Sequence, residues 1–135
     1  MKILGRHLIV ELTGCDTGIL DNQELLEQYL KEAVRLSGAT IVNSVFHRYN
    51  PHGISGVVLI AESHLSIHTW PEYSYAAVDF FTCGESVDPY KAFTFIKDRL
   101  GAVNSQIREI KRGMPSPTDQ LISHKPAPQQ AGAAT

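Results

Sequence analysis

Apolar residues recur at helical spacing in two segments of the chain. The first segment has an apolar face formed by Leu26, Tyr29, Leu30, Ala33 and Val34. Asp21 and Glu24 have the spacing of a capping box at its start, and Gly38 stands where a left-handed C-terminal cap belongs. The pattern predicts a helix between these two signals.

The second helical segment begins at Asp88, a capping residue, followed by Pro89 at the first helical position. Phe93, Ile96 and Leu100 form its apolar face. Gly101 follows the last apolar residue of that face, which is typical of a helix C-terminus.

The other ordered segments are short and rich in β-branched or aromatic residues, which predicts six strands. They span residues 7–12, 40–48, 54–61, 64–70, 75–82 and 103–111. The resulting order, β-α-β-β-β-β-α-β, favours antiparallel hairpins in the middle of the chain. We therefore predict an α+β fold, a two-layer sandwich whose mostly antiparallel sheet is covered on one face by two helices. A second copy of the chain is expected to cover the other face, in a dimer.

Composition narrows the class of protein. The chain has 135 residues, which suits one domain, and its 12 basic and 14 acidic residues argue against nucleic-acid binding. Its apolar runs are shorter than the ~18 residues of a membrane-spanning helix. The N-terminal segment lacks the pattern of a signal peptide, so we expect a cytoplasmic protein.

The C-terminal segment differs in composition from the rest. Four of the seven prolines fall in residues 113–135, together with Gln, Ala, Gly and Ser. Such a segment lacks the apolar content that offsets the entropy of ordering. We expect a folded domain over residues 1–112 and a disordered tail over residues 113–135.

Reactive side chains are densest in residues 62–72. On a strand, His64, Ser66, His68 and Trp70 share one face, while the apolar residues between them share the other. By itself this pattern is compatible with a solvated strand face. His64 and His68 would lie about 13 Å apart on a strand, too far for joint zinc ligation at ~2 Å.

Two cysteines do not make a disulfide framework, so we interpret each one from the residues around it. Cys83 ends a predicted strand just before Gly84. It could be a small buried residue or a partly exposed thiol that acts as an acid or nucleophile. Cys15 has no such context and is interpreted as structural.

The run ESHLSIHTWPE, residues 62–72, resembles the processing-site motif of the prokaryotic S-adenosylmethionine decarboxylases. Further matches follow in the family's order: GRH at 5–7, SGAT at 37–40, FHR at 46–48, GISGVV at 53–58 and FTCG at 81–84. The resemblance covers residues 1–112, nearly the whole predicted domain.

The resemblance implies that the chain is a self-processing proenzyme. It would be cut between Glu62 and Ser63, and Ser63 would become a covalent pyruvoyl group, the only cofactor implied. His68 would be the proton acceptor in processing, with Ser55 assisting. Since Ser55 lies between two glycines, we expect it to approach the scissile bond closely. The β chain, 1–62, and the α chain, 63–135, would stay in one fold, and two such units would form a homodimer.

The resemblance also assigns roles in catalysis. The pyruvoyl ketone would form a Schiff base with the amino group of S-adenosylmethionine and accept electrons as CO2 leaves, the role of pyridoxal phosphate elsewhere. Cys83 would return a proton, since a thiol with a pKa of about 8.5 is protonated at neutral pH. No metal is implied. The expected substrate contacts are Tyr49 and His68 at the adenine, Leu65 through its backbone, Glu72 at the ribose and Glu11 near the amine.

Two alternatives remain beside this interpretation. A non-catalytic binding module could keep the fold, although the presence of Ser55, Ser63, His68 and Cys83 argues against lost processing. A pyruvoyl-dependent decarboxylase could instead act on another amino acid, such as arginine. The product expected from S-adenosylmethionine would serve spermidine biosynthesis. Glu11 is equally well interpreted as a strand residue that faces solvent.

Overall fold

The computed structural model describes residues 3–113. These residues form six strands, three α-helices and a 3-10 turn at Pro71–Tyr73. The strands are β1 Gly5–Thr13, β2 Ile41–Arg48, β3 Ile54–Ile60, β4 Ser63–Trp70, β5 Tyr75–Cys83 and β6 Asn104–Arg112. The helices are α1 Thr17–Leu20, α2 Gln23–Ser37 and α3 Pro89–Leu100. The predicted tail lies outside the described residues apart from Gly113.

The strands form one antiparallel sheet in the order β2-β3-β4-β5-β1-β6. Strands β2 to β5 follow one another along the chain, and β1 returns between β5 and β6. The predicted α+β class is confirmed, while α1 and the 3-10 turn were not predicted. No helix among residues 3–113 is long and apolar enough to cross a membrane.

Alternate residues of the strands face the helices and form the core. The buried strand residues include Leu8, Val10, Leu12, Leu65, Ile67, Ala76, Val78 and Phe80. They pack in one cluster with Leu26, Leu30, Ala33 and Val34 of α2 and with Ala92, Ile96 and Leu100 of α3. The alternation predicted for residues 64–70 is therefore confirmed, because Leu65 and Ile67 lie in the core and the residues between them do not.

Asn22, rather than Asp21, caps α2. The Asn22 side chain accepts a hydrogen bond from the backbone N–H of Leu25 at 3.1 Å. The predicted capping box of Asp21 and Glu24 is therefore wrong. The short helix α1 ends immediately before Asp21, and the Asp21 carboxylate instead accepts a hydrogen bond from Arg48 at 2.6 Å.

The sheet face away from the helices, called here the open face, carries large apolar side chains. Val45 is 63% exposed and Leu59 is 48% exposed, and Trp70 and Ile110 are also exposed. Apolar area of this kind on a sheet face is a feature of surfaces that become covered on association.

Burial of the α2 face can be tested with two leucines of the same helix. Leu30 is 0% exposed, whereas Leu36 is 46% exposed. We expect Leu30→Ala to lower the free energy of unfolding by about 2–5 kcal/mol, because it leaves a cavity. Leu36→Ala is the matched control and should change it by less than about 1 kcal/mol. Urea denaturation measures both, and equal losses would contradict the described packing.

Candidate active site

The peptide bond between Glu62 and Ser63 lies in a strained turn. Ala61 and Glu62 form a two-residue connection between β3 and β4, and Ile60 pairs with Ser63. Such connections usually carry their positive φ within the loop. Here the positive φ falls on Ser63, at 139°, a conformation that costs a non-glycine residue about 1–3 kcal/mol. The backbone strain thus lies at the bond that the sequence motif marks.

Cys83 contacts both residues of this bond. Its backbone N–H donates a hydrogen bond to the carbonyl oxygen of Glu62 at 2.9 Å. Its Sγ lies 3.4 Å from the hydroxyl oxygen of Ser63. The thiol is buried, with the residue 7% exposed, and is not the partly exposed group that one interpretation of the sequence allowed. Cys83 ends β5, where it pairs with Gly5 of β1 on one side and bonds the Glu62 carbonyl on the other, and this position explains its burial.

The second cysteine lies away from this site. Cys15 is buried in the core, and burial raises its pKa to about 11. A thiol with so high a pKa stays protonated and unreactive at neutral pH. Its interpretation as structural agrees with this environment.

A second group of reactive side chains lies at the other end of β4. The Tyr49 hydroxyl donates to the Ser55 hydroxyl at 3.0 Å, and Ser55 Oγ lies 2.7 Å from Nδ1 of His68. These three residues line a cleft of about 370 Å³ together with His52, Gly53, Thr69, Trp70 and Glu72. His52 Nε2 lies 3.1 Å from a carboxylate oxygen of Glu72. The cleft thus holds an ordered Tyr–Ser–His chain beside an indole and a carboxylate.

The two groups are well separated within one chain. Ser55 pairs with His68, whereas Ser63 is five residues away along β4. At 3.3 Å per residue this distance is about 17 Å. Ser55 is therefore not close to the Glu62–Ser63 bond of its own chain, contrary to our expectation. The neighbouring Gly56 serves packing, since a side chain there would collide with the ring of Phe46.

The open face also carries a network that the sequence analysis missed. The same Asp79 oxygen lies 2.7 Å from Nε2 of His7 and 2.7 Å from Nε2 of His64, and the Ser66 hydroxyl donates to the other oxygen. Burial alone would raise the pKa of Asp79, but the hydrogen bonds from His64, Ser66 and His7 hold it well below its usual range. A carboxylate within the apolar run of β5 was the signal available in the sequence.

The same network is the place where the described residues could ligate a divalent cation. One ligand atom from each of His7, His64 and Asp79 lies within 4.8 Å of the other two. Two imidazoles and a carboxylate are common ligands of transition metals. His68 is not part of this group.

Two other predicted contact residues lie in different surroundings. Glu11 faces a depression on the open face that His7, His68 and Asp79 also line. It accepts a hydrogen bond from the Tyr75 hydroxyl, and burial together with this bond raises the pKa of Tyr75 to about 12. Leu65 is buried in the core between β3 and β5 and is not among the described residues that line the Tyr49–His68 cleft.

Fold and side chains together define a small two-layer α+β protein with hydroxyl, thiol and imidazole groups gathered along the central strand of its sheet. Residues 6–113 match the family model for S-adenosylmethionine decarboxylase. The chain belongs to the S-adenosylmethionine decarboxylase family. The resemblance and the decarboxylase class inferred from the sequence motif are thereby confirmed.

Individual relatives agree with this assignment. The "S-adenosylmethionine decarboxylase proenzyme" of Thermotoga maritima is 59% identical over 113 residues, which cover 84% of this chain and 87% of that protein. The protein of the same name from Caldicellulosiruptor saccharolyticus is 52% identical over 114 residues, covering 84% and 92%. The crystal structure of adenosylmethionine decarboxylase from Aquifex aeolicus superposes with a TM-score of 0.81 at 36% identity, covering 90% of this chain and 100% of that one.

The Asp79 network predicts a specific pH dependence of stability. Because the pKa of Asp79 is lower in the folded chain than the unfolded value of about 3.9, its stabilising effect is complete above that value. The effect is lost as the pH falls towards the folded pKa. We expect Asp79→Asn to lower the free energy of unfolding at pH 7, and the gap from the wild type to narrow between about pH 4 and pH 2.5.

Urea denaturation across that range measures the gap. Asp98→Asn, at an exposed carboxylate of α3, is the control and should give a curve parallel to the wild type. A gap for Asp79→Asn that stays constant down to pH 2.5 would contradict the described network.

Proposed function

We propose that the chain is a proenzyme that cleaves its own backbone between Glu62 and Ser63 and converts Ser63 into a pyruvoyl group. The observation that carries this proposal is the combination of the positive φ at Ser63 with the hydrogen bond from Cys83 to the Glu62 carbonyl. Strain raises the energy of the intact bond, and the N–H stabilises charge on the carbonyl oxygen. Each of them favours attack on that carbonyl.

The cleavage would proceed through the side chain of Ser63. Its Oγ attacks the carbonyl carbon of Glu62, and negative charge develops on the oxygen that the Cys83 N–H already contacts. The C–N bond then breaks and the nitrogen takes up a proton, which leaves an ester. Elimination from the ester frees the backbone carboxylate of Glu62 as a new C-terminus and leaves dehydroalanine at position 63. Hydrolysis of the dehydroalanine with loss of ammonia leaves a ketone there. A base is needed for the hydroxyl and Cα protons, and imidazole titrates in the appropriate range.

We further propose that this base comes from a second copy of the chain. His68, held by Ser55 at 2.7 Å, is about 17 Å from the Ser63 of its own chain by strand length. If two copies pack with their open faces together, the hydrogen-bonded residues Tyr49, Ser55 and His68 of one copy could lie beside the Glu62–Ser63 bond of the other copy. The exposed Val45 and Leu59 on that face support such packing, since they would become buried.

The surroundings of Ser63 fit a pyruvoyl group made in place. Ser63 is half-buried where the central strands β4 and β5 meet the turn, and the Cys83 thiol lies 3.4 Å from the Ser63 hydroxyl oxygen. The group would act as the electron sink for a substrate that loses CO2. In this proposal Cys83 would donate the proton that returns to the reacting carbon. Because the Cys83 thiol is buried, it has little access to water.

We propose S-adenosylmethionine as the substrate, as the names of the relatives imply. The cleft of Tyr49, His68 and Trp70 offers ring faces for the adenine and for the sulfonium. Glu72 can accept hydrogen bonds from both ribose hydroxyls if these replace its contact with His52. The product, decarboxylated S-adenosylmethionine, would serve as the aminopropyl donor in spermidine biosynthesis.

Processing and turnover can be tested together. The purified chain should give two fragments, 1–62 and 63–135, and the second should be blocked to Edman sequencing. It should release labelled CO2 from carboxyl-labelled S-adenosylmethionine. Ser63→Ala should remain uncut and inactive because it lacks the attacking hydroxyl, whereas Ser44→Ala on β2 is the matched control and should behave as the wild type.

The substrate is decided by the same measurement. Release of CO2 from labelled arginine in place of S-adenosylmethionine would assign the same chemistry to another amino acid. An uncut chain without carbonyl reactivity would overturn the proposed function and favour a binding module.

The shared site predicts complementation between two inactive variants. Ser63→Ala keeps His68, and His68→Ala keeps Ser63, so a mixed dimer contains one complete cleavage site. When differently tagged variants are co-expressed, we expect cleavage only of the His68→Ala chain, whereas each variant alone stays uncut. Mass spectrometry of the tagged fragments measures this. Normal cleavage of His68→Ala alone, or none in the mixture, would overturn the shared site.

A further inference from the structure

Thr82 carries a buried hydroxyl that has no hydrogen-bond partner. The residue is 1% exposed, and its Oγ1 is the only buried side-chain oxygen or nitrogen among residues 3–113 that lacks a partner. Thr69, the other buried threonine among these residues, bonds the N–H of Ile54 and the carbonyl of Leu20. Since an unpaired buried hydroxyl is costly and rare, Thr82 requires an explanation.

Thr82 lies directly opposite Ser63. The two residues pair across β4 and β5, and the bond from Cys83 N–H to the Glu62 carbonyl flanks the pair. This hydrogen-bond pattern marks a non-hydrogen-bonded pair, in which opposed Cα atoms are only about 4.5 Å apart and side chains are close. The unpaired hydroxyl is thus adjacent to the residue whose bonds change in the proposed cleavage.

We propose that Thr82 is a positioning residue for cleavage, and that its partner is the amino group which Ser63 gains during that reaction. The inference rests on the proposed function. In the step concerned, the bond from Ser63 Oγ to the Glu62 carbon forms and the bond from that carbon to the Ser63 nitrogen breaks. The hydroxyl proton passes to the nitrogen. The products are an ester and a free amine, and the amine is absent from the uncut chain.

The proposal explains why the hydroxyl is unpaired before cleavage. Breaking the amide frees the Ser63 nitrogen from the conformation with φ of 139°, so that rotation about its Cα–C bond can turn the amine towards β5. A hydrogen bond from the amine to Thr82 Oγ1 then exists on the ester side alone. Such a bond raises the equilibrium amount of ester, and with it the rate of cleavage through the elimination that follows, whereas a bond present throughout would raise neither.

Replacement of Thr82 tests this role in the full chain. Cleavage is followed by mass spectrometry after cell-free synthesis, and the ester is measured by the fraction of chain that hydroxylamine cuts at residue 62. Thr82→Val should slow cleavage and reduce the hydroxylamine-sensitive fraction by about ten- to hundredfold, the effect of a hydrogen bond to a charged group. Thr82→Ser should restore both. Thr94→Val, on the exposed surface of α3, is the matched control and should leave both unchanged.

A separate measurement distinguishes this role from a structural one. In the uncut Ser63→Ala chain, Thr82→Val should melt at or above the parent temperature, because it removes an unpaired hydroxyl. Thr69→Val removes a paired hydroxyl and should melt lower. If Thr82→Val lowers the melting temperature as Thr69→Val does, the hydroxyl has a partner before cleavage and the proposal is overturned.

The outcomes also separate this inference from the proposed function. If the wild-type chain is cut and Thr82→Val is cut at the same rate, the role of Thr82 is overturned while self-cleavage stands. If the wild-type chain is not cut between Glu62 and Ser63, both are overturned. Slow cleavage of Thr82→Val with rescue by Thr82→Ser supports the inference.

Discussion

The pairing of β4 with β5 is the constraint on which the rest of the site depends. This single register sets Ser63 opposite Thr82, brings the Cys83 N–H to the Glu62 carbonyl and places His64 and Ser66 on Asp79. A slip by one residue would exchange the two faces of β4 and move Leu65 and Ile67 out of the core. The burial of these two side chains under α2 and α3 therefore holds the reactive groups in position. Core packing and site geometry are consequences of the same alternation.

The length of β4 explains why, in the proposed function, one chain would make only half of a site. The eight extended residues of β4 carry the strained serine at one end and the cleft residues His68 and Trp70 at the other. A fully paired central strand cannot bend to bring its two ends together, because its neighbours on both sides fix it. In the proposed dimer, association through the open face would overcome this separation without a longer chain. A fold of about 110 residues would then enclose a substrate between two copies.

Local patterns in the sequence were sufficient for the elements and for the orientation of side chains. The alternation at residues 64–70 identified the buried and open faces of β4, and the Asp88–Pro89 pair marked the start of α3. The one-residue error at Asp21 arose because α1 is too short to produce a periodic signal. Contacts between distant strands were beyond such patterns. His7 and Asp79 are 72 residues apart, and their contact depends on the return of β1 beside β5.

The same limit explains the error about Ser55. The flanking glycines suggested that Ser55 approaches the scissile bond closely, but the antiparallel hairpin of β3 and β4 places Ser55 far from its turn. It pairs the last residue of β3 with Ser63 and places Ser55, near the beginning of β3, opposite His68. The geometry of a hairpin follows from its turn, and this turn is the one that contains Glu62. The turn that holds the proposed cleavage bond therefore also determines how far the proposed base lies from that bond within one chain.

Two unfavourable features meet at this turn, the positive φ of Ser63 and the unpaired hydroxyl of Thr82. Each costs on the order of 1–3 kcal/mol, which is a large fraction of the stability of a small domain. They persist because β4 and β5 are central strands, hydrogen-bonded on both sides and packed under two helices. Cleavage would relieve the first, and formation of an amine at position 63 would satisfy the second. In the proposed function, the interior of the sheet would thus hold the turn in a strained conformation until the backbone is cut, and the release of that strain would favour cleavage.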